Sequence, residues 1–145
     1  AFRLINLIST KNNYLNLILL DKLMSINFKD LKLFSYSSCS TCRKAIKWLK
    51  SNDISFELID ILSTPPPKEM LVFASEEYGD RKYLLNTSGA IYRSIGSEVV
   101  KKMSDNEFFE KLSIEPRLIK RPFLFKSNNF FLVGFKEEKW SEKLL

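Results

Sequence analysis

Two cysteines and no histidine frame the chemistry open to this 145-residue chain. Cys39 and Cys42 form a single Cys-x-x-Cys pair within Ser-Ser-Cys-Ser-Thr-Cys-Arg-Lys, residues 37 to 44. Without histidine or a third cysteine, an ordinary Cys/His zinc site is incomplete within the chain. A bridge across so short a loop is also a poor structural staple, because it removes little entropy from the unfolded chain. What remains is reversible thiol chemistry, which suits a reducing compartment and makes the cytoplasm the expected location.

Thiolate, not thiol, is the nucleophile, so the elements around the pair decide its use. An apolar run at Leu31, Leu33, Phe34 and Tyr36 predicts a strand over 32–36, and Ser37-Ser38 predicts a turn. From about Thr41 to Ser51 the apolar residues Cys42, Ala45, Ile46 and Leu49 recur at helical spacing, with Arg43, Lys44, Lys47 and Lys50 on the other side. Cys39 then falls at a helix N-terminus, where free amides and the macrodipole favour negative charge and Arg43 and Lys44 add positive potential. Cys39 is the expected nucleophile. Cys42, one turn further in, is the candidate resolving thiol, with a small core residue as the plain alternative.

The rest of the chain reads as one domain of ordinary size. A composition of 45% hydrophobic and 28% charged residues is that of a globular protein. The net charge of +6 comes from scattered Lys and Arg with no long basic run, so a mixed solvated surface is expected and direct nucleic-acid binding is not. Residues 1–23 are rich in Leu, Ile and Asn, with no apolar run long enough to cross a bilayer and no signal-peptide pattern, and Met24 follows them. They read as a leader extension outside a domain spanning 24–145.

Alternation at Ile54, Phe56 and Leu58 predicts a second strand over Ser55–Asp60, which completes a βαβ unit with parallel strands. Pro65-Pro66-Pro67 opens a helix to Tyr78 that stops at Gly79. Asn86-Thr87-Ser88-Gly89 marks a turn, a short helix is expected over Ser97–Met103, and Ser104 with Glu107 is a capping box for a helix through Leu112. Two apolar runs, 118–125 and 130–134, flank Ser127-Asn128-Asn129 as a hairpin, and a helix over 136–145 follows. The predicted class is α/β: βαβ, a helical insertion, then ββα around a four-stranded mixed sheet, which is the plan of a thioredoxin-like fold. Arg121-Pro122 starts the third strand. The residues alone predict an ordinary trans bond there, and an arginine at that point suits a grip on an oxyanion or carboxylate.

Cys-Ser-Thr-Cys-Arg-Lys-Ala (39 to 45), Leu-Leu-Asn-Thr (84 to 87), Leu-Ile-Lys-Arg-Pro (118 to 122) and Leu-Val-Gly-Phe (132 to 135) together resemble the arsenate reductase family, ArsC/Spx/YffB-like. The resemblance spans roughly 31–144. It implies a thioredoxin-like fold with a helical insertion, Cys39 as nucleophile, a cis Pro122 beside it and Arg121 in an anion pocket; Ser40, Thr41 and Arg43, beside the thiols, are expected to bind substrate or shape the site together with Pro122.

Two further arginines of the arsenate reductases have no match here, since Ser88 and Gly134-Phe135 stand at those places. A cleft short of positive charge is therefore expected. The Leu-Leu-Asn-Thr and Ile-Lys-Arg-Pro runs look closest to the YffB branch, whose members are suggested to be glutathione-dependent thiol reductases. The Cys-x-x-Cys pair looks like the Spx branch, regulators that bind the RNA polymerase α subunit and use the pair as a redox switch, although Thr87-Ser88 lacks an arginine typical of that branch.

The leading expectation is a monomeric, ArsC-like thiol–disulfide oxidoreductase acting through Cys39, Cys42 and Arg121 on a disulfide, a glutathionylated thiol or a small oxyanion. Glutathione or thioredoxin/glutaredoxin would be the external reductant, with no bound cofactor, no metal and no membrane. The alternative is an Spx-like redox-sensitive regulator.

Overall fold

The computed structural model describes residues 31–126 and 130–145; the expected leader and the hairpin turn lie outside the described residues. Strand β1 (Lys32–Ser35) leads into helix α1 (Ser40–Ser51) and strand β2 (Glu57–Asp60). Helices α2 (Lys68–Tyr78), α3 (Ala90–Ile95), α4 (Ser97–Lys102) and α5 (Asp105–Ile114) follow, with 3-10 turns at Arg81–Leu84 and Pro116–Leu118. Strands β3 (Phe123–Lys126) and β4 (Phe130–Val133) and helix α6 (Glu137–Leu144) complete the chain. The strand order is β2-β1-β3-β4, with β1 parallel to β2 and antiparallel to β3, and β3 antiparallel to β4. This is the four-stranded mixed sheet of a thioredoxin-like fold.

Side-chain alternation along the strands feeds two separate cores, because successive residues of a strand face opposite sides of the sheet. Leu33 pairs with Leu124, and Leu124 with Leu132. These leucines pack under Ala45, Trp48 and Leu49 of α1 and Trp140 of α6. One residue along, Phe34 stands opposite Phe123 in an edge-to-face pair 5.9 Å apart, on the face covered by the helical insertion through Leu71, Leu84, Phe108 and Leu112. Burial on both faces explains why these strands read as continuous apolar runs.

The differences from expectation are local. β2 begins at Glu57, not Ser55, because pairing with β1 starts at Lys32 opposite Glu57; as an edge strand it leaves Leu58 57% exposed. The capping box at Ser104 and Glu107 is present, and α5 runs on to Ile114. The Arg121–Pro122 bond is cis. That corrects the trans bond expected from the residues alone and agrees with the resemblance.

The insertion is tied to the strand before β3 by a short antiparallel bridge. Leu85 pairs with Ile119, the Lys120 amide donates to the Leu84 carbonyl at 2.7 Å, and the Asn86 amide donates to the Leu118 carbonyl at 2.8 Å. Leu84-Leu85-Asn86 and Leu118-Ile119-Lys120, two of the family-like runs, are therefore partners. Their pairing fixes where Lys120, Arg121 and Pro122 enter the site.

Candidate functional site

Cys39 is the N-cap of α1, with extended backbone at φ −88° and ψ 113°. Its own amide donates to the Tyr36 carbonyl at 3.0 Å, closing the turn after β1. Its Sγ accepts from the Cys42 amide at 3.2 Å. The sulfur thus takes the place that a Ser or Asp oxygen fills at other helix starts, facing the otherwise unpartnered first-turn amides. A negative sulfur gains there from both the amide and the helix dipole.

Cys42 is wholly buried, one turn into the helix. Burial pushes its thiol up to about 11, and a side-chain hydrogen bond with Cys39 adds to the rise. Contacts with the Tyr36 backbone and the Ser35 side chain pull the other way and are outweighed. The two thiols therefore differ in kind. Cys39 is half-buried and Cys42 is fully enclosed, and both are free thiols here.

Cys39, Ser40 and Thr41 line a cleft of about 790 Å³ together with Arg121. Cys42 lies behind that wall. Arg43 is on the outside of α1, where its Nη1 donates to the Ser37 carbonyl at 2.9 Å and braces the turn that presents Cys39. Pro122 is buried, and its carbonyl accepts from the Gly134 amide at 2.9 Å. Arg121 is half-buried, with its guanidinium 5.3 Å from the centre of the Tyr36 ring and Nη1 donating to the Arg117 carbonyl at 3.3 Å.

The expectation of a cleft short of positive charge is corrected. Lys120, Lys136 and Lys139 line it alongside Arg121. Ser88 is on the wall, and Gly134, which stands where the arsenate reductases have a further arginine, makes room for a different cation. A Cβ at Gly134 would stand 3.0 Å from Lys120 Cε, so the lysine stem lies across the bare glycine. The glycine is held there by its φ of +73° and by its carbonyl, which accepts from the buried Trp140 indole at 3.0 Å.

Tyr78 and Tyr83 also line the cleft and escaped the sequence reading. The Tyr78 hydroxyl accepts from the Val133 amide at 2.8 Å, and Lys139 Nζ is 4.8 Å from the Tyr78 ring centre. Nothing in the local pattern at 78, 83, 136 or 139 marks these residues, since α2, the 3-10 turn after it and the start of α6 bring them to the cleft from distant parts of the chain. Among the described residues no group of three or more His, Cys, Asp or Glu could hold a metal ion, and no helix is long and apolar enough to cross a membrane.

The ArsC family model matches residues 34–143, which takes in both thiols, the insertion and the cis-proline segment. The chain is 40% identical over 114 residues to YusI of Bacillus subtilis, covering 77% of this chain and 96% of that protein. It is 28% identical over 111 residues to the global transcriptional regulator Spx of Streptococcus agalactiae, covering 75% of this chain and 79% of Spx. Among solved structures, a possible arsenate reductase from Streptococcus mutans superposes with a TM-score of 0.70 at 31% identity, covering 77% of this chain and 97% of that one. On its fold, its paired thiols and these matches, the chain belongs to the ArsC family.

Proposed function

We propose that the protein is a thiol–disulfide oxidoreductase with Cys39 as its nucleophile. One observation carries this reading: the Cys39 sulfur caps the start of α1 at the wall of a large cleft, with a second thiol one turn behind it. Cys39 thiolate attacks one sulfur of a disulfide, the S–S bond breaks, and one substrate thiolate leaves with the bonding pair. Arg121 steadies that negative charge. Cys42 then attacks Cys39 Sγ, gives up its proton, and releases the second thiol, leaving a Cys39–Cys42 disulfide. Two electrons have passed to the substrate, and glutathione or thioredoxin/glutaredoxin returns them.

Because burial holds the Cys42 proton up to about pH 11, attack on the mixed disulfide by external glutathione competes with the internal step. Turnover of bis(2-hydroxyethyl) disulfide, coupled to glutathione or thioredoxin and NADPH, tests the scheme. Cys39→Ser is expected to abolish it, while Cys42→Ser keeps the glutathione-coupled rate and loses the thioredoxin-coupled one. Turnover that survives Cys39→Ser would remove the proposal.

The similarity to Spx, a global transcriptional regulator, favours a second reading: a redox-sensitive partner of the RNA polymerase α subunit, as the resemblance to the Spx branch implies. Capture of that subunit by the reduced or the oxidised chain supports it. No binding in either state removes it.

A further inference from the structure

The cleft beside Cys39 carries more positive charge than a single departing thiolate uses. Lys120 and Arg121 come from the strand entry, and Lys136 and Lys139 from the start of α6. No carboxylate lines the cleft, and among the described residues none of the four cations is in an ion pair. Glu137 and Glu138 are neighbours in sequence but lie outside the cleft lining. Four like charges set around one concavity repel one another, and its walls focus their field on whatever enters. Among the described residues, two of them rest over ring faces of the cleft wall: Lys139 over Tyr78 and Arg121 over Tyr36. A ring face compensates a cation less than a hydrogen-bonded carboxylate does.

The form of the charge narrows the ligand. A compact tetrahedral oxyanion is best held by convergent planar guanidinium forks, whereas lysines act as separate point charges on flexible stems. Here three of the four cations are lysines. They are distributed over a cleft of about 790 Å³, a volume that suits a ligand of drug-like size. The Lys120 stem is laid across Gly134 beyond β4 and Lys139 Nζ over the Tyr78 ring of α2, so each rests on an element other than its own. Such a frame fits an elongated molecule with carboxylates at some distance from its sulfur.

We propose that the cleft selects its substrate by charge, taking small disulfides and thiols that carry two or more carboxylates, with Lys120 and Lys139 as the specificity-determining residues. The inference rests on the oxidoreductase reading and adds the substrate class to it. The bond changes are those already given: the S–S bond of the anionic disulfide breaks, Cys39 is joined to one half, and the other half leaves as a thiolate. The lysines touch only the carboxylates.

The test uses three disulfides of similar length: 3,3′-dithiodipropionate, a dianion; bis(2-hydroxyethyl) disulfide, neutral; and cystamine, a dication. Mixed-disulfide formation at Cys39 is followed by mass spectrometry in the reduced full chain. Each rate is divided by that of the same disulfide with N-acetylcysteine amide, which removes differences in leaving-group thiol. The expected order is dianion, then neutral, then dication, with about tenfold or more between the ends at low salt and less at high salt. The double variant Lys120→Gln/Lys139→Gln is expected to lose most of that ratio. Lys50→Gln/Lys101→Gln, which removes the same charge outside the cleft, is expected to keep it. Equal normalised rates for the three disulfides overturn the charge selection alone. So does a ratio that falls as far in the remote variant as in the cleft variant. If none of the three forms an adduct at Cys39, the oxidoreductase reading falls and takes the inference with it.

Discussion

Gly134 is where a substitution should report on backbone and site together. Its φ of +73° lies in the left-handed region, where an L side chain costs about 1–2 kcal/mol. Alanine recovers part of this by restricting the unfolded chain, by about 0.4–1 kcal/mol. The new Cβ would also stand 3.0 Å from Lys120 Cε, a distance at which the lysine must give by a few tenths of an ångström. The Lys120 stem is flexible, so that contact adds little to the cost, and the net loss for Gly134→Ala is about 1 kcal/mol. For a domain of this size that is a fall of roughly 3–6 °C in Tm.

Urea unfolding at unchanged m is the assay for Gly134→Ala, beside Gly134→Asn, whose side chain tolerates the left-handed region better and should lose less. A cycle with Lys120→Ala separates the two causes. Strain at φ alone gives additive losses, whereas the steric contact gives a coupling of about 0.5 kcal/mol. A midpoint for Gly134→Ala equal to or above that of the wild type would refute the reasoning.

Two further outcomes follow from the thiols and the insertion. Cys42 is buried and its thiol is raised to about 11, so in the folded, reduced chain iodoacetamide is expected to label Cys39 first at pH 7 to 9 and Cys42 only on unfolding or above about pH 10. Equal labelling of both at pH 8, read by peptide mass, would contradict the burial argument. Arg81 holds α4 and α5 together: Nη2 donates to the Met103 carbonyl at 2.6 Å, Nη1 pairs with Asp105 at 2.8 Å, and the guanidinium is 4.5 Å from the Phe108 ring centre. Arg81→Ala is expected to cost about 1–2 kcal/mol in urea unfolding, chiefly through the unpartnered carbonyl, since exposed Asp105 contributes little. A loss below about 0.3 kcal/mol would show that α4 and α5 pack without it.

What the sequence made legible is what local spacing encodes. Of the stripe Cys42, Ala45, Ile46 and Leu49, all but the half-buried Ile46 are buried on α1, where Trp48 joins them; the capping box at Ser104 and Glu107 is in place, and Gly79 ends α2 at φ +78°. The strand pairs were visible because both faces of the sheet are buried and Leu33, Phe34, Phe123 and Leu124 are apolar without a break. The cis bond at Pro122 was not readable from its residues, because the same pair begins many strands in the trans form. The charge of the cleft is hidden in the sequence for a different reason. Expecting arginines at particular positions overlooks Lys120, whose stem lies across Gly134, and Lys136 and Lys139, which are brought to the cleft by the helix whose Trp140 packs under the sheet.

The central claim, that Cys39 is the nucleophile poised by the start of α1, is tested most directly by rapid acid quench of the reduced full chain mixed with equimolar bis(2-hydroxyethyl) disulfide. The adduct is then mapped by mass, and the same reaction is run on the guanidinium-unfolded chain. The predicted result is a first adduct confined to Cys39, formed at least about tenfold faster in the folded than in the unfolded chain, and then converted to a Cys39–Cys42 bridge, or released once glutathione is added. A first adduct on Cys42, or a Cys39 rate no faster folded than unfolded, would contradict the account.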